Sequence, residues 1–424
     1  MSEAISPEER AQLFARAAEA SSMRRASKGY ALTAALTRRS VLRGTALGGL
    51  AAVGAGALAA CGTKGTAVAI PSAEATGHAA ATDYSDTEKL LNFSNWGSYI
   101  DVSSSDKNDH PTLDGYSKAT GVKVNYNEEI TDNDEFYTKL DPLLKAGSDT
   151  GRDLIVMSDY MIPKLRHYNY IQELNLKNIP NHANVLQAVL NDSIDPGRKY
   201  TMPWAYGYTV IAYNSQLTSP ITSIKQLFED PALKGKVTLF QEMEDTVAFA
   251  LLALGKSPAN FTDDDYKAAL AYIQKAKDAG QVRQFRGQDY INDFSQGNIA
   301  ATMAYSGDVA QLNTPNLKTV IPSEGMLSWS DNMCIPNYAR HKKNAELLMN
   351  YYYNPDVEAA LDDYINYIPA VNGAVDALKT IDANAVSNEL IVPTTAMQTA
   401  ARPFMALSVD QLDSYTQQFK KISG

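Results

Sequence analysis

Cysteine is nearly absent. Cys61 and Cys334 are the two in 424 residues, too few for a disulfide framework. Histidine is almost as sparse: His78, His110, His167, His182 and His341 are scattered, with no metal-ligand spacing among them or to a cysteine. Beyond the N-terminal stretch no apolar run is long enough to cross a bilayer. Basic side chains are in the minority. The net charge is −10, and residues 1–60 hold 8 Lys/Arg against 4 Asp/Glu, which leaves 30 against 44, a net of −14, for residues 61–424. A phosphate backbone needs basic patches, so this balance argues against nucleic acid as a partner and leans, weakly, toward cationic ligands. Also missing are a glycine-rich phosphate loop after a strand, a Gly-x-Ser-x-Gly elbow and a local nucleophile–base pattern; "AYSGD" (304–308) is no such elbow. The acids of "SSSDKNDHPTLDG" (103–115) do not follow calcium-loop spacing. An enzyme is therefore not expected, and no cofactor or metal is assigned.

What remains is an ordinary globular composition, 45% hydrophobic and 20% charged, in a chain long enough for two domains with their own cores. The N-terminus reads as an address. "TRRSVLR" (37–43) precedes "GTALGGLAAVGAGALAACG" (44–62), a short, Gly- and Ala-rich apolar run ending in small residues, which is the layout of a signal peptide. The pair Arg38–Arg39 resembles the twin-arginine export signal. Leu58-Ala59-Ala60-Cys61 resembles the lipobox of bacterial lipoproteins, which implies acylation of Cys61. Residues 62–87 contain one aromatic and are dominated by small residues; as a flexible tether of 26 residues they would span roughly 25–30 Å. The folded body would then sit off the extracytoplasmic face of a membrane, lipid-anchored, in a periplasm or at a cell surface.

From Leu90 the texture changes. "LLNFS" (90–94), "VKVNYN" (122–127), "DLIVM" (153–157), "YTVIAY" (208–213), "KVTLF" (236–240), "IAATMAY" (299–305), "LKTVIP" (317–322) and "NMCIP" (332–336) read as buried strands. Helical patterns lie between them. "NDEFYTKL" (133–140) is expected to break or restart at Pro142, with Asp141 as cap. "DDDYKAALAYIQKAKDAG" (263–280) carries acids in its first turn and a Gly280 stop. Residues 343–365 read as two helices split at Pro355, with "YYY" (351–353) packed in the core. Alternating strands and helices predict an α/β fold of mostly parallel sheets flanked by helices. In such sheets ligands bind outside the carboxyl ends of the strands. Trp96 and Tyr99 follow the first strand, Ser158 and Tyr160 the third, Tyr305 follows "IAATMA", and Glu242 and Asp245 follow "VTLF". Cys334, in an apolar strand, reads as a buried inert thiol.

Eight segments, in order, carry a resemblance: "NFSNWGSYI", "TGVKVNYNEEITDNDEFYTKL", "DLIVMSDYMIPKL", "YTMPWAYGYTVIAYN", "LKGKVTLF", "FSQGNIAATMAYSGD", "IPSEGMLSWSDNMCIP" and "NYIPAVNGA". From about Leu90 to Ala374 the chain resembles the solute-binding proteins of bacterial spermidine/putrescine ABC transporters. The resemblance implies the two-lobed type II periplasmic-binding-protein fold, with the ligand in an interlobe cleft, and a monomer working with ABC permease subunits. "YGYTVIAYN" becomes the first crossing between lobes and "SWSDNMCIP" the return. The implied division is residues 1–61 signal region, 62–87 tether, 88–207 plus 332–375 the first lobe, and 208–331 plus 376–424 the second.

Carried over residue by residue, the resemblance makes Trp96, Tyr99, Ser158, Tyr160, Tyr305, Trp329 and Tyr367 cleft walls. It makes Glu242, Asp245 and Asp331 the acids that meet ammonium groups. Gly97 departs from a usual threonine, Glu242 from a usual aspartate and Tyr305 from a frequent tryptophan; Asp159 is an extra acid, residues 101–113 are longer than usual, and no contact is assigned after Ala374. The chemistry suits a polyamine. Aromatic faces serve the alkyl carbons and attract each cation by about 0.5–2 kcal/mol, and carboxylates fix the ammonium positions. Another organic cation or a small carbohydrate in the same fold is the alternative, and an exported enzyme a distant one.

Overall fold

The aliphatic runs at Leu154–Ser158 and Val237–Phe240 become strands covered on both faces, whereas Lys123–Ile130 and Leu317–Val320, expected to be buried, form strands at the sheet's margins that stay largely half-exposed. The computed structural model describes residues 8, 10–20, 81–103, 106, 108–190, 194–312 and 314–424. Arg38, Arg39, Cys61 and residues 62–80 of the tether lie outside the described residues. The strands are β1 (Leu90–Trp96), β2 (Lys123–Ile130), β3 (Leu154–Ser158), β4 (Thr201–Asn214), β5 (Val237–Phe240), β6 (Val282–Arg286), β7 (Ala301–Tyr305), β8 (Leu317–Val320), β9 (Met326–Cys334) and β10 (Ala401–Arg402). They form one sheet in the order β2-β1-β3-β9-β4-β7-β5-β6, with β8 on β4 and β10 on β9. At each end the pairing is parallel: β1 with β2 and β3, and β5 with β6 and β7. In the middle, β9 and β4 run antiparallel to each other and to their outer neighbours β3 and β7. Two parallel α/β halves are thus joined through a pair of long crossing strands.

The core follows the same division. Leu154 and Val156 of β3 pack in one cluster with Phe93, Trp204 and Met333. Ile155 and Met157, on the opposite face as strand alternation requires, pack with Phe136, Leu140 and Leu144. Residues 208–327 supply most of a separate cluster around β5, β7 and the helix Met243–Ala253. Tyr352 and Tyr353 are buried, and their hydroxyls donate to the carbonyls of Trp204 and Pro203 at 2.6 and 2.5 Å. They hold the entry of β4, where a register shift accommodates Pro203. Cys334 is buried and free, and burial pushes its thiol up, away from reactivity.

Four further particulars differ from the sequence reading. The helix Asn133–Lys145 runs through Pro142; its buried face of Phe136, Leu140 and Leu144 outweighs one lost backbone bond. Asp141 is no cap: it accepts from Tyr137, Tyr170 and Lys145, and Asp132 caps the helix by accepting from the Glu135 N–H at 2.9 Å. Residues 83–87 belong to the body rather than a tether, because Asp83 accepts from the Lys343 N–H and the Tyr84 N–H donates to the Arg340 carbonyl. Ala377, Leu378, Ala385 and Ile391 pack in the first-lobe core, so the chain rejoins the second-lobe core at Met397 rather than after residue 375. Ahead of these, residues 10–20 form a helix whose Arg10 pairs with Asp356 at 2.8 Å. Among the described residues no helix is long and apolar enough to cross a membrane.

Candidate functional site

A cleft of about 570 Å³ opens between the halves, with Trp329 and Asp331 of the crossing strand β9 on its lining. The structure brings Trp96, Tyr99, Ser158, Tyr160, Glu242, Asp245, Tyr305, Trp329, Asp331 and Tyr367 together on its lining. The reason is topological. Trp96 ends β1, Ser158 ends β3 and Tyr305 ends β7, while Glu242 and Asp245 sit at the start of the helix after β5. These are carboxyl ends of parallel strands, facing one another across the crossing pair.

Aromatic rings make the inner wall. Trp329 meets Tyr305 edge-on at 5.5 Å and Tyr367 at 5.4 Å, and Tyr367 meets Tyr99 at 5.4 Å. Phe240 lies 4.5 Å from Tyr305. The Trp96 indole N–H donates to the Val156 carbonyl at 3.1 Å, which fixes that ring in its place. Two glycines make the arrangement possible. A Cβ on Gly207 would stand 2.6 Å from the Trp329 ring, and one on Gly307 would stand 2.5 Å from the Tyr367 ring. Gly307→Ala should therefore displace Tyr367 at a cost of about 1–3 kcal/mol. The expected result is a lower melting temperature together with roughly tenfold weaker ligand binding. An unchanged affinity would remove Tyr367 from the working wall.

Three carboxylates face these rings. Asp331, on β9, accepts from the Tyr99 hydroxyl at 2.8 Å and from Ser158 Oγ at 2.6 Å. Burial raises its pKa, and the two donors oppose that rise. Glu242 accepts from the Tyr305 hydroxyl at 2.9 Å, and burial, with the neighbouring charges of Asp245 and Asp132, pushes its carboxyl well above the usual range. Asp245 accepts from Thr209 Oγ1 at 2.6 Å; burial pushes it up to about 7 against that hydrogen bond, with the Asp331 charge adding to the rise. The basic residue on the lining, Arg286, is turned to Asp289 at 3.3 Å and Asp293 at 4.0 Å. Buried carboxylates that repel one another are costly until a cation joins them. The cleft is built to receive positive charge.

Several lining or supporting residues escaped the sequence reading. Thr209, Phe240, Gly207 and Gly307 carried no signal apart from their places on β4, β5 and the Ser306–Leu312 helix. Glu128 and Asp132 add acidity to the outer lining. Phe404 also lines the cleft, which corrects the expectation of no contact after Ala374. Asp159, the extra acid, is buried and accepts from the Ser330 N–H at 3.2 Å and its neighbour Tyr160 N–H at 2.8 Å, so it braces the loop against β9.

Two α/β lobes, crossing strands between them and a concave site at the crossing define a solute-binding protein of the type II periplasmic-binding-protein fold. Residues 112–388 match the bacterial extracellular solute-binding protein family, and the chain belongs to that family. It is 29% identical over 315 residues to the spermidine/putrescine-binding periplasmic protein of Escherichia coli (strain K12), covering 73% of this chain and 85% of that one. The protein of the same description from Salmonella typhimurium is 30% identical over 318 residues, covering 74% of this chain and 85% of that one. Among solved structures, a Listeria monocytogenes protein provisionally assigned to a spermidine/putrescine ABC transporter superposes with a TM-score of 0.68 at 25% identity, covering 79% of this chain and 99% of that one.

Proposed function

We propose that this chain captures a polyamine, spermidine or putrescine, in the interlobe cleft and delivers it to an ABC transporter permease. The observation that carries the reading is the buried pair Asp245 and Asp331, with the half-buried Glu242, beside the ring cluster of Tyr99, Tyr305, Trp329 and Tyr367. The rings take the alkyl chain and the carboxylates take the ammonium groups. A ligand short of one ammonium would leave a desolvated carboxylate unpaired, and that loss is the basis of selectivity. First-lobe residues Trp96, Tyr99, Ser158 and Tyr160 face second-lobe residues Glu242, Asp245 and Tyr305. A ligand touching both sets favours the closed arrangement.

The reading extends to the N-terminal region. Export through Arg38–Arg39 and acylation of Cys61 would leave the body tethered to the outer face of a membrane as a monomer. The protein binds and releases its ligand without turning it over. Tryptophan fluorescence tests both halves of this, since Trp96 and Trp329 line the cleft. Saturable quenching or enhancement by putrescine or spermidine is expected, with the amine recovered unchanged after prolonged incubation. A covalently altered product would make the protein an enzyme instead.

A further inference from the structure

The helix Val409–Ser423 lies beyond the family-matched residues 112–388 and contributes nothing to the cleft lining. Its apolar side is anchored in the second lobe. Leu412, Tyr415, Phe419 and Ile422 are buried in that core, and Tyr415 stacks on Tyr266 at 3.7 Å. Two of its polar residues reach the first lobe. Asp413 meets Lys164 Nζ at 2.7 Å, and Lys420 Nζ meets Asp134 at 3.1 Å. Lys164 stands on the helix Ile162–His167 and Asp134 on the helix Asn133–Lys145, and both helices pack in a first-lobe core cluster.

The two pairs are unequal. The Lys164 side chain is 10% exposed against 45% for Asp413, and its ammonium also lies 4.3 Å over the Tyr137 ring. Lys420 is 61% exposed, where an ion pair contributes little. Asp134 sits between Asp132 and Glu135, both on the cleft lining, so the contacts run beside the cleft mouth. An opening that separated the two lobes on this side of the cleft would pull both pairs apart.

We infer that the helix Val409–Ser423 is an interlobe clasp: Lys164–Asp413, supported by Lys420–Asp134, holds the lobes together beside the cleft and so sets ligand affinity and release without touching the ligand. This rests on the two-lobed binding reading above. A ligand that favours the closed state binds more tightly when that state is already populated, and the clasp raises that population. Lys164 and Asp413 are positioning residues, and their loss should appear mainly in the rate of release.

The test uses the full chain carrying Cys61→Ser, with spin labels at Leu143→Cys and Leu254→Cys, exposed sites on the two lobes; Cys334 is buried. In the ligand-free protein, Lys164→Met and Asp413→Asn should each lengthen the interlobe distance, Lys164→Arg should restore it, and Lys420→Met should have the smaller effect. The release rate of spermidine should rise about three- to tenfold in the first two variants. Unchanged distances in both Lys164→Met and Asp413→Asn would overturn the clasp, even with spermidine bound normally. Lengthened distances in a protein that binds no amine would leave the clasp standing and remove the polyamine reading.

Discussion

Asp331→Ala is expected to weaken polyamine binding about 100-fold or more while leaving the protein folded. Truncating one partner of a desolvated, hydrogen-bonded charge pair costs about 2–5 kcal/mol. Asp331 is buried, and it gathers hydrogen bonds from Tyr99 on the loop after β1 and from Ser158 at the end of β3. Its removal therefore takes away a charge partner and the acceptor that orients two lining hydroxyls. The empty fold should not suffer in proportion. Burial disfavours the ionised carboxylate, so its loss relieves a charge that lacks a cation in the empty cleft. Asp331→Asn separates the two contributions. It keeps an acceptor for Ser158 or Tyr99 but carries no charge, and binding should still be lost. Calorimetry for affinity and a melting curve for stability read both effects; an Asn variant that binds normally would mean that shape, not charge, does the recognising.

The second large effect is on pH. Burial raises the carboxyls of Glu242, Asp245 and Asp331 in the empty cleft, with neighbouring acid charges adding to the rise at Glu242 and at Asp245, which reaches about 7. An ammonium group beside them favours the ionised form and lowers them again. Binding at neutral pH should therefore release protons. From Asp245 alone, affinity should fall about tenfold per pH unit below about pH 7. For the empty protein the sign is opposite. An acid whose folded value lies above its unfolded value stabilises the fold at low pH, and that contribution is lost as pH rises. From Asp245 alone the loss runs from about pH 4 to about 7. Binding in buffers of different ionisation enthalpy would expose the released protons. An affinity constant from pH 8 to pH 4 would sink the acid set.

Much of this was readable in the chain itself, and the unread parts have physical causes. Strands with both faces buried announce themselves as aliphatic runs, and β1, β3, β5 and β7 did so. β6 did not: as an edge strand it alternates Val282, Arg283, Gln284, Phe285 and Arg286, and only Val282 is buried. β4 is longer than its apolar centre suggests, because a crossing strand serves two cores and can begin with the proline-containing "TMPW". The cleft residues were legible because they lie at strand ends in a family-like order. Gly207 and Gly307 were not, since their importance lies in rings brought over them by distant segments. Phe404 was hidden for the same reason: a lone aromatic in a loop far along the chain has no periodicity to mark it. Thr209 sits inside an apolar strand, and its bond to Asp245 exists only once β4 and the helix after β5 are packed.

The central claim is that the cleft is a polyamine site, and calorimetric titration of the protein at neutral pH tests it most directly. Putrescine, spermidine, spermine and a neutral sugar would be added in turn. The account predicts saturable binding of at least one polyamine at micromolar or tighter affinity, about −8 kcal/mol or better, and no heat of binding from the sugar. Silence with every amine, or saturation by the sugar, would contradict it.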